Sequence, residues 1–164
     1  MPNWCENKLL IKADNKDALY DFKRLEELFK ETLKYNKETG ETTNLLDSII
    51  SMPEVLKDTT KQSPYKLPNG ETIYWYEWCT DNWGTKWDAC DCIWSYRDGF
   101  KKNVKNPKMS FFFNTAWAPP IPWLEKVASI FPNLYLKLEY DEPGMGFKGS
   151  AEGVGEIIDD CKEY

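Results

Sequence analysis

Four tryptophans within fifteen residues, in the stretch Tyr74–Asp88 (YWYEWCTDNWGTKWD), restrict this chain more than any other feature. Each indole must bury a large apolar area and still find an acceptor for its N–H. Trp75, Trp78, Trp83 and Trp87 therefore mark either a packing centre of the fold or its binding site. The spacing of Trp75, Trp78 and Cys79 predicts a short helix over 73–82. Gly84 stands where a helix ends in a left-handed residue, which would deliver Trp83 and Trp87 to the following loop.

The rest of the chain supplies a frame for that segment. Residues 7–12 alternate, with Leu9 and Ile11 on one face and Lys8 and Lys12 on the other, as in a half-buried strand. Asp14 or Asn15 can cap a helix in which Leu19, Phe22, Leu25, Phe29 and Leu33 step by three and four. Residues 34–44 turn to Lys, Glu, Thr and Asn around Gly40, too polar to bury anything, and read as a mobile loop. Leu45–Leu56 regains apolar character, Pro53 can open a helical turn, and Asn69-Gly70 marks a tight turn.

After the tryptophans, residues 89–97 alternate with Cys90, Cys92, Trp94 and Tyr96 inward and Asp91, Ser95 and Arg97 outward, and Asp98-Gly99 begins a loop. Residues 109–115 carry three consecutive phenylalanines, as expected of a strand that is central or covered on each side. Pro122 leads a helix through Leu124, Val127, Ala128 and Phe131, and Pro132 ends it. Leu134, Leu136, Leu138 and Tyr140 share one face of a fourth strand, and residues 147–152 pair back on it after turn chemistry at Asp141–Gly144. The order predicts an α+β fold: a ferredoxin-like split βαβ sandwich over 1–164, its antiparallel sheet carrying two helices on one face, with an insertion at 34–72 and a C-terminal hairpin.

Composition narrows function. The net charge of −6 and pI near 4.8 oppose a phosphate-tracking surface, so nucleic acid is a disfavoured partner. With no histidine, the commonest general base and most zinc ligand sets are absent. Five cysteines without a C-x-x-C pair read as reduced, mostly buried thiols. No apolar run approaches a membrane span and no secretory start is seen, which predicts an intracellular protein with no membrane partner.

Four ordered blocks carry a resemblance: the start MPNWCEN, Asn82–Asp88 (NWGTKWD), Thr115–Pro120 (TAWAPP) and Glu142–Gly149 (EPGMGFKG). Together they resemble the YubB-like ferredoxin-fold family, small proteins of unknown function carried by bacteriophages and conjugative plasmids. The resemblance implies a ferredoxin-like domain, a mobile-element origin and a place in the cytoplasm of a bacterial host, and no catalytic residue. Two positions depart from the pattern: Ala118 stands where those proteins often carry serine, and Cys79-Thr80 replaces a more basic stretch.

The candidate binding residues are Trp78, Asn82, Trp83, Lys86, Trp87, Asp88, Trp117 and Glu142. Trp83 and Trp87 offer flat faces for a base, a sugar or a partner's proline, Lys86 a point charge, and Asp88 an acceptor. Alternatively the tryptophans wedge the insertion onto the sheet while Lys86 and Asp88 pair. Trp117 with Pro119-Pro120 is expected to close over the same end of the sheet. Gly144-Met145-Gly146 is a candidate anion nest, though Glu142 beside it repels phosphate. Asp81, Asp88, Glu139, Asp141 and Glu142 match no metal loop, and neither cofactor nor metal is expected. Phe112 and Tyr135, with Lys8, Lys12, Lys137 and Arg97 around them, invite comparison with RNA-recognition domains.

The leading expectation is a non-enzymatic accessory protein that binds a host protein, serving counter-defence, with Glu26, Glu27 and Glu31 facing a basic site and Trp83, Trp87 and Trp117 as anchors. The alternative is a small nucleotide-like ligand held or sequestered in a tryptophan pocket. An enzyme using Lys86 or Asp88 ranks behind both.

Overall fold

The computed structural model describes residues 1–57, 65–95 and 105–164. Strand β1 (Trp4–Lys12) buries Cys5, Asn7, Leu9 and Ile11 and turns the intervening residues away. Asn15 then starts α1 (Lys16–Thr32) by accepting the Ala18 N–H at 2.8 Å, and the helix buries Ala18, Phe22, Leu25 and Phe29. Between α1 and the next long strand come β2 (Lys34–Tyr35), β3 (Thr42–Thr43), α2 (Leu45–Ile49), α3 (Glu54–Lys57), β4 (Tyr65–Lys66), β5 (Thr72–Ile73) and α4 (Trp75–Asn82). The chain continues through β6 (Cys90–Ser95), β7 (Lys108–Ala116), α5 (Ile121–Ile130), β8 (Tyr135–Glu142), β9 (Phe147–Val154) and β10 (Ile158–Glu163).

Eight strands form one sheet in the order β10-β9-β8-β1-β7-β6-β3-β2, every pairing antiparallel, and β4-β5 is a separate hairpin. The inner four, β8-β1-β7-β6, with α1 leading from β1 towards β6 and α5 joining β7 to β8, are the split βαβ arrangement of a ferredoxin-like fold. Register puts Leu9 opposite Phe111 and Leu138, so one face of three strands meets the buried sides of α1 and α5. Asn7 is one of the polar residues of that face, with Thr115 and Glu142, and its amide donates to the Cys5 carbonyl and the Thr115 hydroxyl, both at 2.9 Å.

Several expectations change. The polar run from Lys34, read as a loop, carries the short β2-β3 hairpin. Asn36 organises its tip, its side chain accepting the Glu38 N–H, and β3 joins the sheet edge at Cys92. In β6 a bulge at Asp91 (φ 51°) breaks the expected alternation. Cys92 is buried and Trp94 packs on the core, but Cys90 falls opposite Asn114 and is half-buried. Helix α5 begins at Ile121, leaving Pro122 second, and Trp123, which the helix's apolar stripe did not include, is fully buried. Strand β10 was not expected, since IDDCKE has no apolar face. β7 is central, yet Phe112 faces a side left uncovered by any described helix and remains 45% exposed. Tyr96, Arg97 and Asp98-Gly99 lie outside the described residues.

Candidate functional site

Helix α4 has no side-chain cap at Tyr74 and ends as its sequence predicts. Gly84, at φ +82°, donates to the carbonyls of Cys79 and Thr80. A Cβ there would also lie 2.4 Å from Cδ of Pro122, so only glycine lets this turn approach α5. Thr85 then ties the loop to the end of β7, its hydroxyl donating to the Ala116 carbonyl at 2.9 Å.

That anchoring divides the tryptophans. Trp83, expected to offer a free face, is buried, and its indole N–H donates to the Ile50 carbonyl at 2.8 Å. Trp78 packs edge-on against it at 5.3 Å between ring centroids. Asn82 is occupied too, donating to the Trp78 carbonyl and accepting from the Lys126 ammonium. Trp87 is 37% exposed and lies 6.3 Å from the Trp4 ring, and Trp75 on the first turn of α4 is 40% exposed. Lys86 lies over two rings, Trp87 at 4.9 Å and Tyr76 at 5.8 Å, and forms no pair with Asp88.

Asp88 faces inward instead. Its two carboxylate oxygens accept the N–H groups of Leu46, Asp47 and Ala89 at 2.7–3.0 Å, capping α2 from a distant part of the chain where Asn44 contributes no side-chain cap. Burial pushes its carboxyl above the ordinary carboxylate range, against the opposing pull of those donors. Helix α2 is fixed at three further points: Trp83 bonds Ile50, the Trp123 indole donates to the Leu46 carbonyl at 3.0 Å, and Leu45 and Leu46 are fully buried.

The insertion, so held, stands against α4 and the loop after it and leaves a hollow of about 540 Å³. Its lining combines the apolar Met52, Leu56, Cys79 and Trp83, the part-exposed Trp75 and Trp87, the lysines Lys34, Lys57 and Lys86, and Asn44 with the acids Asp47 and Asp88. Lys57 is committed to Asp47 and Glu54, and its bond to Asp47 holds the ammonium above its ordinary range. Among the described residues, Lys34 and Lys86 have no ion-pair partner. Burial, with the charges of Asp88 and Asp47 behind it, pushes the Cys79 thiol up to about 12, so it is an apolar wall atom and not a nucleophile.

The structure thus gathers Trp83, Lys86, Trp87 and Asp88 at one hollow and leaves the other candidates elsewhere. Trp117 follows β7 at φ +71° and is 44% exposed, its N–H bonded to the Asn3 carbonyl; it does not line the hollow. Glu142 is fully buried and fills the Gly144–Gly146 turn itself, accepting the N–H groups of Gly144 and Met145 at 2.8 and 3.1 Å. The candidate anion nest is therefore closed by the protein's own carboxylate. Asp141 accepts the Tyr164 hydroxyl, and no metal-sized group of three acids or thiols occurs among the described residues. Trp75, Lys34, Met52 and Leu56 were not among the candidate binding residues; only Trp75 carried a signal, as one of the clustered tryptophans and lying four residues before the buried Cys79 on one helix face. The others come from the insertion, whose docking no local pattern encodes.

Residues 82–163 match the family model described as a ferredoxin-like domain in Api92-like protein. The chain also superimposes on the crystal structure of a protein api92 from Yersinia pseudotuberculosis. That alignment covers 100% of this chain and 98% of the other at a TM-score of 0.53 and 12% identity. At that identity the likeness speaks for the fold alone. No curated protein matches. The ferredoxin-like domain is what this family shares with the YubB-like resemblance. No described helix is long and apolar enough to cross a membrane.

Proposed function

Since the chain belongs to the family of ferredoxin-like domains in Api92-like proteins, we propose that it is a non-enzymatic binding protein that holds a planar, anionic ligand of nucleotide type in the tryptophan hollow. One observation carries this reading: a hollow of about 540 Å³ combines apolar side chains, two part-exposed indoles and two ammonium groups that have no ion pair among the described residues. That volume falls inside the roughly 300–1,000 Å³ of small-molecule sites. An aromatic ring slides between Trp75 and Trp87, and Lys86, already poised over Trp87, takes the phosphate with Lys34. Asp88 is spent on capping α2 and is no free base, which argues against catalysis and for capture.

Carriage by a bacteriophage or conjugative plasmid, as the YubB-like resemblance implies, suits such a protein. It would withdraw a signal or substrate from a host pathway in the bacterial cytoplasm without turnover. The test is a titration with nucleotides and cyclic dinucleotides, following tryptophan emission and melting temperature together. The expected result is a saturable quench, lost in Trp87→Ala and weakened about tenfold in Lys86→Ala, as for one charge-assisted hydrogen bond. At a hundredfold excess over Kd the ligand adds roughly 2.7 kcal/mol of stability. A flat response in both signals overturns the reading.

A second reading, docking on a basic site of a host protein, is favoured by the outer side of α1. Glu27 and Glu31 are exposed there and Tyr20 is 68% exposed, while Glu26 is paired with Lys30. Reversing Glu27 and Glu31 to lysine abolishes partner capture if that reading holds and leaves it intact if it fails.

A further inference from the structure

On the side of the sheet away from α1 and α5, lysines of β1 and β7 lie towards one end and carboxylates of β1 and β8 towards the other, while nearer the β9 edge the signs mix: Lys137 pairs with Glu139, Glu152 stands opposite Lys137, and Lys148 stands opposite Asp141. Register aligns Lys12 with Lys108 at one end, Lys8 with Phe112 and Glu139 in the middle, and Glu6 with Asn114 and Asp141 at the other end. Phe112, on the central strand β7, is 45% exposed, and Ile93 opposite it on β6 is 41% exposed. Lys8 holds its ammonium 5.7 Å from the Phe112 ring, and Lys12 is 4.7 Å from the ring of Tyr135. A hollow of about 300 Å³ on one side of the ring is lined by Lys8, Lys108, Ser95 and Ser110, and one of about 250 Å³ on the other by Glu6, Glu139 and Asp141. Among the described residues neither Lys8 nor Lys108 is ion-paired.

An exposed phenyl face between unpaired ammonium groups and carboxylates fits one ligand class. A base stacks on the ring, the phosphates lie at the lysine end, and the carboxylate end accepts hydrogen bonds from the base edge. We infer that this open face binds short single-stranded nucleic acid, stacking a base on Phe112 between Lys8 and Lys108, and prefers bases that carry an amino group. Adenine, cytosine and guanine offer such a donor to Glu6, or to Glu139 beside Lys137, whereas uracil and thymine offer only the N3–H between two carbonyls and bind more weakly. The chain's net charge of −6 does not oppose this, because only a few phosphates are met and they are met locally. With Lys8 and Lys108 engaged, the affinity should fall with salt on a log–log slope of about −1.4, at roughly −0.7 per phosphate. A duplex is excluded, since its bases cannot reach the ring.

The test is fluorescence anisotropy with labelled eight-residue oligomers of A, C and U as RNA, A and T as DNA, and a duplex of the same length. The expected result is binding of A and C oligomers, at least tenfold weaker binding of U and T, and none of the duplex. RNA and DNA versions of the A oligomer are compared directly, separating a contact to the 2′-hydroxyl from recognition of base and phosphate alone. Phe112→Ala should lose at least tenfold with its melting temperature kept, Lys8→Glu with Lys108→Glu should abolish binding, and Trp87→Ala should leave it unchanged. No binding by any oligomer, equal binding by Phe112→Ala, or duplex binding as tight as single-strand binding overturns the inference. Loss in Trp87→Ala alone assigns the oligomer to the tryptophan hollow and overturns it equally.

Discussion

Asp88 shows how a residue's type can be read without its role. An acid beside a lysine and two tryptophans suggests a surface acceptor, but here it replaces the cap that α2 lacks. Asp88→Ala should cost about 2 kcal/mol in urea unfolding, the loss of a cap plus stranded N–H groups. The charge has a measurable sign. The folded protein holds the Asp88 proton more tightly than the unfolded chain, whose value is near 3.8. Its contribution is therefore greatest below that value and declines as pH rises through the raised one. The stability of the wild type minus that of Asp88→Asn should be larger at pH 4.5 than at pH 7.5; the reverse order would mean that the three donors outweigh burial. At Trp117, φ +71° makes the backbone and not the ring decide. Trp117→Gly should be more stable than Trp117→Ala by about 1 kcal/mol, and equal stability would deny the left-handed conformation.

Elements whose faces alternate or step by three and four were legible. β1, α1, β7, β8 and α5 follow from their own apolar periods, because each buries one face in a common core. The β2-β3 hairpin and β10 were not, because edge strands need only backbone partners and carry polar side chains on both faces. β10 depends on one absence of a side chain. Gly149 leaves room for the Tyr140 hydroxyl to cross β9 and donate to Asp159 at 2.5 Å, and a Cβ there would sit 2.4 Å from that oxygen. Gly149→Ala should cost about 1–3 kcal/mol by overpacking, with amide exchange speeding first in 158–163. Uniform exchange across the sheet would show β10 not to be separable. Half of the tryptophan site was legible in the same sense. The segment announced itself by composition, but whether a given indole faces in or out depends on where α2 docks, and α2 is five residues long with no cap of its own. Trp123 went unnoticed because a large apolar residue in a helix says nothing of the carbonyl its N–H will meet.

At the scale of the molecule, one core closes around residues drawn from both sides of the insertion. Cys5, Cys79 and Cys92, from β1, α4 and β6, belong to it, and burial pushes each thiol up to about 12. Cys161 lies exposed on β10. Alkylation at pH 8 should therefore label Cys161 first and the three core thiols only on global unfolding. Early labelling of Cys79 alone would show that the insertion opens independently of the sheet. The two faces of the sheet differ: one is sealed against helices, and on the other, uncovered by any described helix, Phe112 is 45% exposed. The sealed side carries a last implication. The insertion is gripped through its main chain as well as by the buried Leu45 and Leu46: the carbonyls of Leu46 and Ile50 take two indoles, and the amides of Leu46 and Asp47 take a carboxylate. A segment moored in this way can change side-chain identity at Met52, and among apolar residues at Leu56, positions that face the hollow, whereas Asp47 is held by the Met52 N–H and by Lys57. Divergent relatives can thus change what they recognise while keeping the same mooring.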